Sequence, residues 1–124
     1  MVNNLLAAIN LAGAAEALAL AERLGLDPLR MQAVIEQSSG QSWIGGDRMP
    51  RALAGDLAPR VRTTLLQKDS RLALSMADAA GFDPVLGREA AALFAAACAA
   101  GLGELDDASL LQFVRHRRAL LRER

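Results

Sequence analysis

Between Leu5 and Ala21 the only polar side chains are Asn10 and Glu16; every other position is Leu, Ala, Ile or Gly. A segment this apolar on all sides predicts a long helix that needs neighbours around it. It should run from about Asn3 to Leu24 and stop at Gly25, which can take the left-handed cap conformation. At about 1.5 Å per residue it would span roughly 33 Å, the diameter of a small domain.

Helix punctuation then recurs along the chain, and no alternation of β-branched and aromatic residues suggests a strand. In "GLDPLRMQAVIEQSSG" Asp27 is the expected N-cap, Pro28 fills the first helical position, and "SSG" closes the helix. The stretch "QSWIGGDRMPRALAGDLAPRVR" holds five Gly or Pro and no clean period, so it reads as a long irregular connection with at most a short helix near Trp43. Connections of that length are usually functional or cover a neighbour. Helical spacing resumes from Thr64 to Gly81, with Leu65, Leu72 and Met76 as expected core positions. "FDPVLGREAAALFAAACAAG" repeats the start signal at Asp83 and Pro84 and ends at Gly101. The last helix, "DDASLLQFVRHRRALLRER", is acidic at its start and basic at its end, which suits the helix dipole. The expected fold class is all-α: a compact bundle of about five helices around one long central helix.

Composition strengthens that picture. Residues 1–124 are enough for one domain and too few for two ordinary ones. Hydrophobic residues reach 52% before Gly is counted, and 26 are Ala, which favours close-packed helices and leaves more apolar surface than a lone small domain can bury. Acidic and basic residues balance at 14 each, so charge gives no attraction to nucleic acid or to an anionic membrane. Cys98, the one cysteine, excludes an internal disulfide and reads as a small buried hydrophobe. With no basic leader or cleavage site before the apolar run, a soluble cytoplasmic protein is expected.

Most reaction types lack their residues. A metal site is not expected from one His and one Cys far apart, and His116 in the basic terminal helix reads as a solvated residue and not as a catalytic base. No G-x-G-x-x-G or P-loop is present. The five arginines near the end lack the aromatic platform of a nucleic-acid binder and read as dipole compensation. Two features remain. Asn3-Asn4 puts two amides at the head of the apolar helix, where a buried unpaired polar group would cost on the order of 1–3 kcal/mol. Lys68-Asp69 interrupts the apolar "TTLL…RLAL". Singly, Asn3 could be a helix cap and Lys68 a surface residue.

Together, "VNNLLAAINLAGAAEALALAERLGLDP", "SSGQSW", "TTLLQKDSRLAL" and "PVLGREAAALFAAACAAGLGELDDASLLQFV" resemble the C-terminal all-α domain of the β-hydroxyacid dehydrogenases, the group of 3-hydroxyisobutyrate dehydrogenase and tartronate semialdehyde reductase, related to 6-phosphogluconate dehydrogenase. The resemblance covers nearly the whole chain and implies a single helical substrate-binding and dimerisation domain over residues 1–124. In that family an N-terminal Rossmann domain, not contained in this chain, binds NAD or NADP, and a small 3-hydroxy acid lies between the domains. The family's junction motif is a catalytic Lys, two variable residues and Asn-Asn; Met1 and Val2 occupy the variable positions, so that Lys would directly precede Met1. Lys and Asn4 would then stand one helical turn apart on one face. By resemblance Asn4 is the catalytic and substrate-binding amide, donating to the substrate's hydroxyl or carboxylate, while Asn3 helps pack the junction. Lys68, with Asp69 orienting its segment, corresponds to the lysine that approaches the cofactor across the cleft. Ser38, Ser39, Gly40 and Trp43 fall where the family borders its substrate pocket. The chain departs from the family at Val61 and Arg62, where a Phe and a small residue are usual.

These features lead first to the substrate half of an NAD(P)-dependent dehydrogenase, silent without its Rossmann partner. The alternative is a free-standing helical interaction module that keeps the fold without catalysis. In either case the all-round apolar first helix predicts a homodimer, with neither nucleic acid nor membrane as a partner.

Overall fold

The structure is a computed structural model that describes the backbone of residues 1–122 and the side chains as far as Arg117. Six α-helices are described: α1 (Val2–Arg23), α2 (Pro28–Ile35), α3 (Trp43–Leu53), α4 (Thr63–Ala79), α5 (Val85–Ala97) and α6 (Leu110–Arg122). No strand occurs among the described residues; Arg62 and Asp106 form one isolated antiparallel bridge. The all-α expectation holds. The basic end of α6 beyond Arg117, expected to compensate the dipole, lies outside the described side chains.

Helix α1 is the axis of the bundle and touches each of the other five helices. Ala8, Leu11, Ala15, Leu18 and Ala21 form its buried stripe. The first four of these meet Phe94 from α5, Met49 from α3, Leu66 from α4, and Leu110 and Leu111 from α6 in one continuous core. The small side chains at 8, 15 and 21 let the surrounding helices approach closely, which is the structural use of the alanine-rich composition. By length and composition α1 and the segment Val85–Leu102 could each cross a membrane; here both are integral to the bundle.

Several boundaries follow the punctuation. Asp27 accepts from the Leu29 amide at the head of α2, Gly25 and Gly81 take positive φ just past the ends of α1 and α4, and Gly101 does so within the π turn Cys98–Leu102 that follows α5. Four expectations need correction. The stretch after Ser42 is an eleven-residue helix, α3, and not an irregular connection. Ser42 caps it by accepting from the Gly45 amide at 3.0 Å, and the missing side chain at Gly45 is required: a Cβ there would lie 2.8 Å from Ser42 Oγ and 3.2 Å from Ala14 Cβ. On α4 the core positions are Thr63, Leu66, Ser70 and Ala73, whereas Leu65, Leu72 and Met76 are exposed; the buried face is set by α1 and α5, not by side-chain hydropathy. At α5 Pro84 holds the cap position without a side-chain bond, and Asp83 pairs instead with Arg88. With α3 included, the helices number six and not five.

The second organising feature is polar. Asp106, fully buried, precedes a single 3₁₀ turn, Asp107–Ser109, that leads into α6. One carboxylate oxygen accepts from the amides of Arg60 and Val61, each at 3.0 Å. The other accepts from the Ala108 amide at 3.1 Å and from Arg51 Nη2 at 2.9 Å. One side chain thus ties the 54–62 loop, α3 and the start of α6 together. Burial pushes its carboxyl up, but the Val61 amide, the Arg51 guanidinium and the amides of Arg60 and Ala108 outweigh that and hold it down at about 2.

A carboxyl whose folded value lies below its unfolded 3.8 stabilises the fold above that value and loses the contribution as pH falls toward about 2. Urea unfolding across a pH series should therefore show a loss of ~2 kcal/mol attributable to this group over that interval. Asp106→Asn should remove that share of the acid dependence and be less stable at pH 7; an unchanged acid profile would count against the assignment.

Candidate functional site

The apolar helix α1 turns the asparagines of its first three turns toward one cleft. Asn3, Leu6, Ala7 and Asn10 follow the i, i+3, i+4, i+7 spacing of a single helical face, and together they line a cleft of roughly 350 Å³. The opposite wall comes from Trp43, Ile44 and Arg48 of α3, Val61, and Leu65, Leu66 and Asp69 of α4, with Asp107 at the base.

Asn4 and Asp69, 65 residues apart in sequence, meet here: Asn4 Nδ2 donates to Asp69 Oδ2 at 3.2 Å. An ionised carboxylate only accepts, so this contact fixes the amide's orientation, with its NH₂ toward α4. Asn3 Nδ2 lies 3.5 Å from Asn4 Oδ1. The amides are less enclosed than an apolar helix head suggested, since Asn3 is exposed and Asn4 half-buried. Asn3 is not the helix cap; Met1 holds that position, with no side-chain bond. Trp43 lines the cleft with 80% of its surface exposed, a large aromatic surface at the rim.

The other expected residues lie elsewhere. Lys68 and Asp69 are neighbours on α4 and so point about 100° apart. Asp69 faces the cleft, while Lys68 lines an outer groove of roughly 280 Å³ with Thr64, Gln67, Arg71 and Ser75. Ser39 and Gly40 line a separate groove of roughly 420 Å³ between α1, α2 and α3, which shares Asn10 with the cleft. Ser38 is exposed and donates to the Val34 carbonyl at 2.7 Å. Among the described residues no cluster of His, Cys, Asp or Glu could hold a metal ion. Half-buried Cys98 has its thiol pushed up by burial and then by Glu104, which leaves it a weak nucleophile.

Sequence reasoning missed three polar lining residues, Asn10, Arg48 and Asp107. Asn10 was within reach, because it stands seven residues after Asn3 on the same face. Arg48 and Asp107 gave no local signal. They meet across 59 positions, Arg48 Nε donating to Asp107 Oδ1 at 2.9 Å and Nη2 to Oδ2 at 3.2 Å. Burial pushes the Asp107 carboxyl up against the pull of Arg48.

Known proteins share this architecture. A family model described as NAD-binding of NADP-dependent 3-hydroxyisobutyrate dehydrogenase matches residues 1–114. The L-threonate dehydrogenase of Cupriavidus necator is 37% identical over 112 residues, 90% of this chain and 38% of that protein. The mitochondrial 3-hydroxyisobutyrate dehydrogenase of Bos taurus is 36% identical over 120 residues, 91% of this chain and 36% of that protein. Among solved structures, 3-hydroxyisobutyrate dehydrogenase from Salmonella typhimurium superposes with a TM-score of 0.88 at 35% identity, over 90% of this chain and 39% of that one. The structure of Psf3 in complex with NADP⁺ gives a TM-score of 0.78 at 26% identity, over 91% of this chain and 39% of that one. The chain thus spans well under half the length of these relatives. The expected cofactor, NAD or NADP, agrees with the NAD-binding family description and with the NADP⁺ held by Psf3. With residues 1–114 matched and an all-helical architecture shared with 3-hydroxyisobutyrate dehydrogenase, the chain belongs to the β-hydroxyacid dehydrogenase family.

Proposed function

We propose that this chain is the C-terminal, substrate-binding helical domain of an NAD(P)-dependent 3-hydroxyacid dehydrogenase, working with a Rossmann domain that holds most of the cofactor. The observation that carries this reading is the cleft in which Asn4, oriented by Asp69, faces Trp43 and Arg48 in a member of this family. The residues also suit the cofactor: Lys68 and Arg71 share the outer groove on α4, and two cations there fit an anionic dinucleotide approaching from outside. The cofactor's nicotinamide would supply the hydride acceptor for the substrate carbon, with Lys68 and Arg71 helping to hold the dinucleotide.

What the chain itself contributes is binding and orientation. With one N–H of Asn4 committed to Asp69, the other is available to a substrate hydroxyl or carboxylate, and the fixed amide spends no entropy on finding its direction. The lysine expected one turn before Asn4 would handle the hydroxyl proton. Trp43 and Leu65 give the substrate an apolar wall and exclude water.

The full-length gene product, followed by NAD(P)H absorbance with a panel of short 3-hydroxy acids, tests the reading. Asn4→Ala should lower kcat/KM about 10- to 100-fold, as expected for one hydrogen bond to a charged or reacting group. Lys68→Ala should raise KM for the cofactor more than for the acid. No turnover on the panel with either cofactor would refute the proposal.

The homodimer also belongs to this reading. Leu6, Gly13, Ala17, Leu20 and Leu24 form an exposed stripe along α1, with Leu20 and Leu24 exposed by 58% and 66%. The small residues at its middle would let a second copy of the chain approach. Sedimentation equilibrium at micromolar concentration should show a dimer that Ala17→Glu dissociates; a folded wild-type monomer would overturn the assignment.

A further inference from the structure

Beyond Asn10, helices α1, α2 and α3 enclose the groove of roughly 420 Å³ that the dehydrogenase reading leaves without a task. Ala14 and Ala17 of α1 and Ile35 of α2 give it an apolar side. Its polar side is Gln32 on α2 and Glu36, the residue that caps that helix.

Gln32 is only 5% exposed, so the bonds of its amide can be counted. Nε2 donates to Glu36 Oε1 at 3.3 Å and to the Gly45 carbonyl at 3.4 Å. A carboxylate and a carbonyl can only accept, which fixes the amide with its NH₂ toward them and its oxygen turned away. No described group donates to that oxygen. Nor is it sealed inside the protein, since Arg51 Nε is the one enclosed side-chain atom without a partner among the described residues. Gln32 Oε1 therefore opens on the groove that its residue lines.

Glu36 repeats the pattern with a charge. It is half-buried, its one described donor is Gln32, and it enters none of the described ion pairs. No Lys, Arg or His lines the groove. Gly46 leaves the carboxylate uncovered from the α3 side, where a Cβ would lie 3.4 Å from Glu36 Oε1. An acceptor without a donor and a carboxylate without a counter-ion thus line one cavity.

We propose that this groove binds a small organic cation whose head carries several N–H groups, a guanidinium or a primary ammonium on a short alkyl chain. Such a head donates to Gln32 Oε1 and to Glu36 together, and the bond to the carboxylate is charge-assisted. The alkyl chain covers Ala14, Ala17 and Ile35, in the usual division of a pocket into an apolar wall and a few convergent polar groups. An anion is excluded by the same wall, because Glu36 is its only charge. The site does not rest on the dehydrogenase reading: Gln32, Glu36 and Gly46 line no part of the cleft.

Calorimetry on the full-length protein tests the proposal with n-butylguanidinium, n-butylammonium, the neutral n-butylurea, which has the shape of the guanidinium, and tetramethylammonium, a cation with no N–H. Either or both of the first two should bind saturably below about 10 mM, at least about 10-fold more tightly than the urea or tetramethylammonium. Glu36→Gln keeps the size of the side chain and still accepts from Gln32, yet should weaken the cation about 10- to 100-fold. Gly46→Ala sets a methyl group against the carboxylate and should also weaken binding; it places a better helix former in α3, so its thermal midpoint should not fall and the loss cannot be put down to unfolding. Asn4→Ala, in the cleft, should leave cation binding as it is. Equal binding of guanidinium and urea, binding that survives Glu36→Gln, or loss on Asn4→Ala in place of Glu36→Gln would each overturn the proposal. So would a full-length protein that binds none of the probes, whose groove is then covered or idle. A protein that oxidises no hydroxy acid yet binds the cation through Glu36 refutes the dehydrogenase reading and leaves this site standing.

Discussion

The structure depends on one buried charge. Asp106 is enclosed completely and accepts from three backbone amides and one guanidinium. That number of donors turns a costly burial into a fixed point: a carboxylate stripped of them would cost several kcal/mol. The consequences reach the cleft through a chain of pairs. Asp106 holds Arg51, Arg51 holds Asp47, Asp47 holds Arg48, and Arg48 holds Asp107. Val61, Arg48 and Asp107 all line the cleft, and each is placed by this network. The arrangement is imperfect, since buried Arg51 Nε has no partner among the described residues, and the rest of the network has to offset that loss.

Helix α1 meets the polar network from the other side. Its sequence looks apolar all round, yet its faces have separate uses. The Ala8–Leu11–Ala15–Leu18 stripe fills the core, and the Asn3–Leu6–Ala7–Asn10 face lines the cleft. Beyond the cleft the same face continues, exposed, through Gly13, Ala17 and Leu20. Two adjacent amides at the head of such a helix are tolerated because neither is fully buried, and because Asn4 finds a carboxylate on α4.

Much of this could be read from the sequence where the cause is local. Asp27 before Pro28 starts a helix, and Gly25 and Gly81 stop two, because a cap or a positive φ is a property of a few neighbouring residues. Helix α3 was hidden because Gly45, Gly46 and Pro50 weaken helix propensity, while tertiary contact requires the first of them: Gly45 lies where any Cβ would strike Ser42 and Ala14. The phase of α4 was misread for a related reason. Leu65, Leu72 and Met76 are hydrophobic yet exposed, while the helices around α4 bury Leu66 together with Thr63, Ser70 and Ala73. Ser70 is accommodated because its hydroxyl bonds back to the Leu66 carbonyl at 2.7 Å. Asp106 and Asp107 looked like ordinary first-turn acids. Their partners Arg48 and Arg51 lie more than 50 positions away, and no local pattern announces such a pairing.

The Lys68-Asp69 pair shows how sequence proximity and spatial function can diverge. Adjacent residues on a helix diverge by about 100°, so two side chains that read as one motif serve two surfaces. Asp69 reaches into the cleft and orients Asn4; Lys68 joins Arg71 on the outer groove. Helix α4 thus acts as a partition, with an amide-and-arginine cleft on one side and a cationic groove on the other. Under the proposed reading, substrate and cofactor approach the same helix from different directions, and the angle between neighbouring side chains sets how the two are placed. A change that rotates α4 would alter both contacts together. The packing of Leu66 and Ala73 into the core is therefore as much a constraint on the chemistry as Asn4 itself.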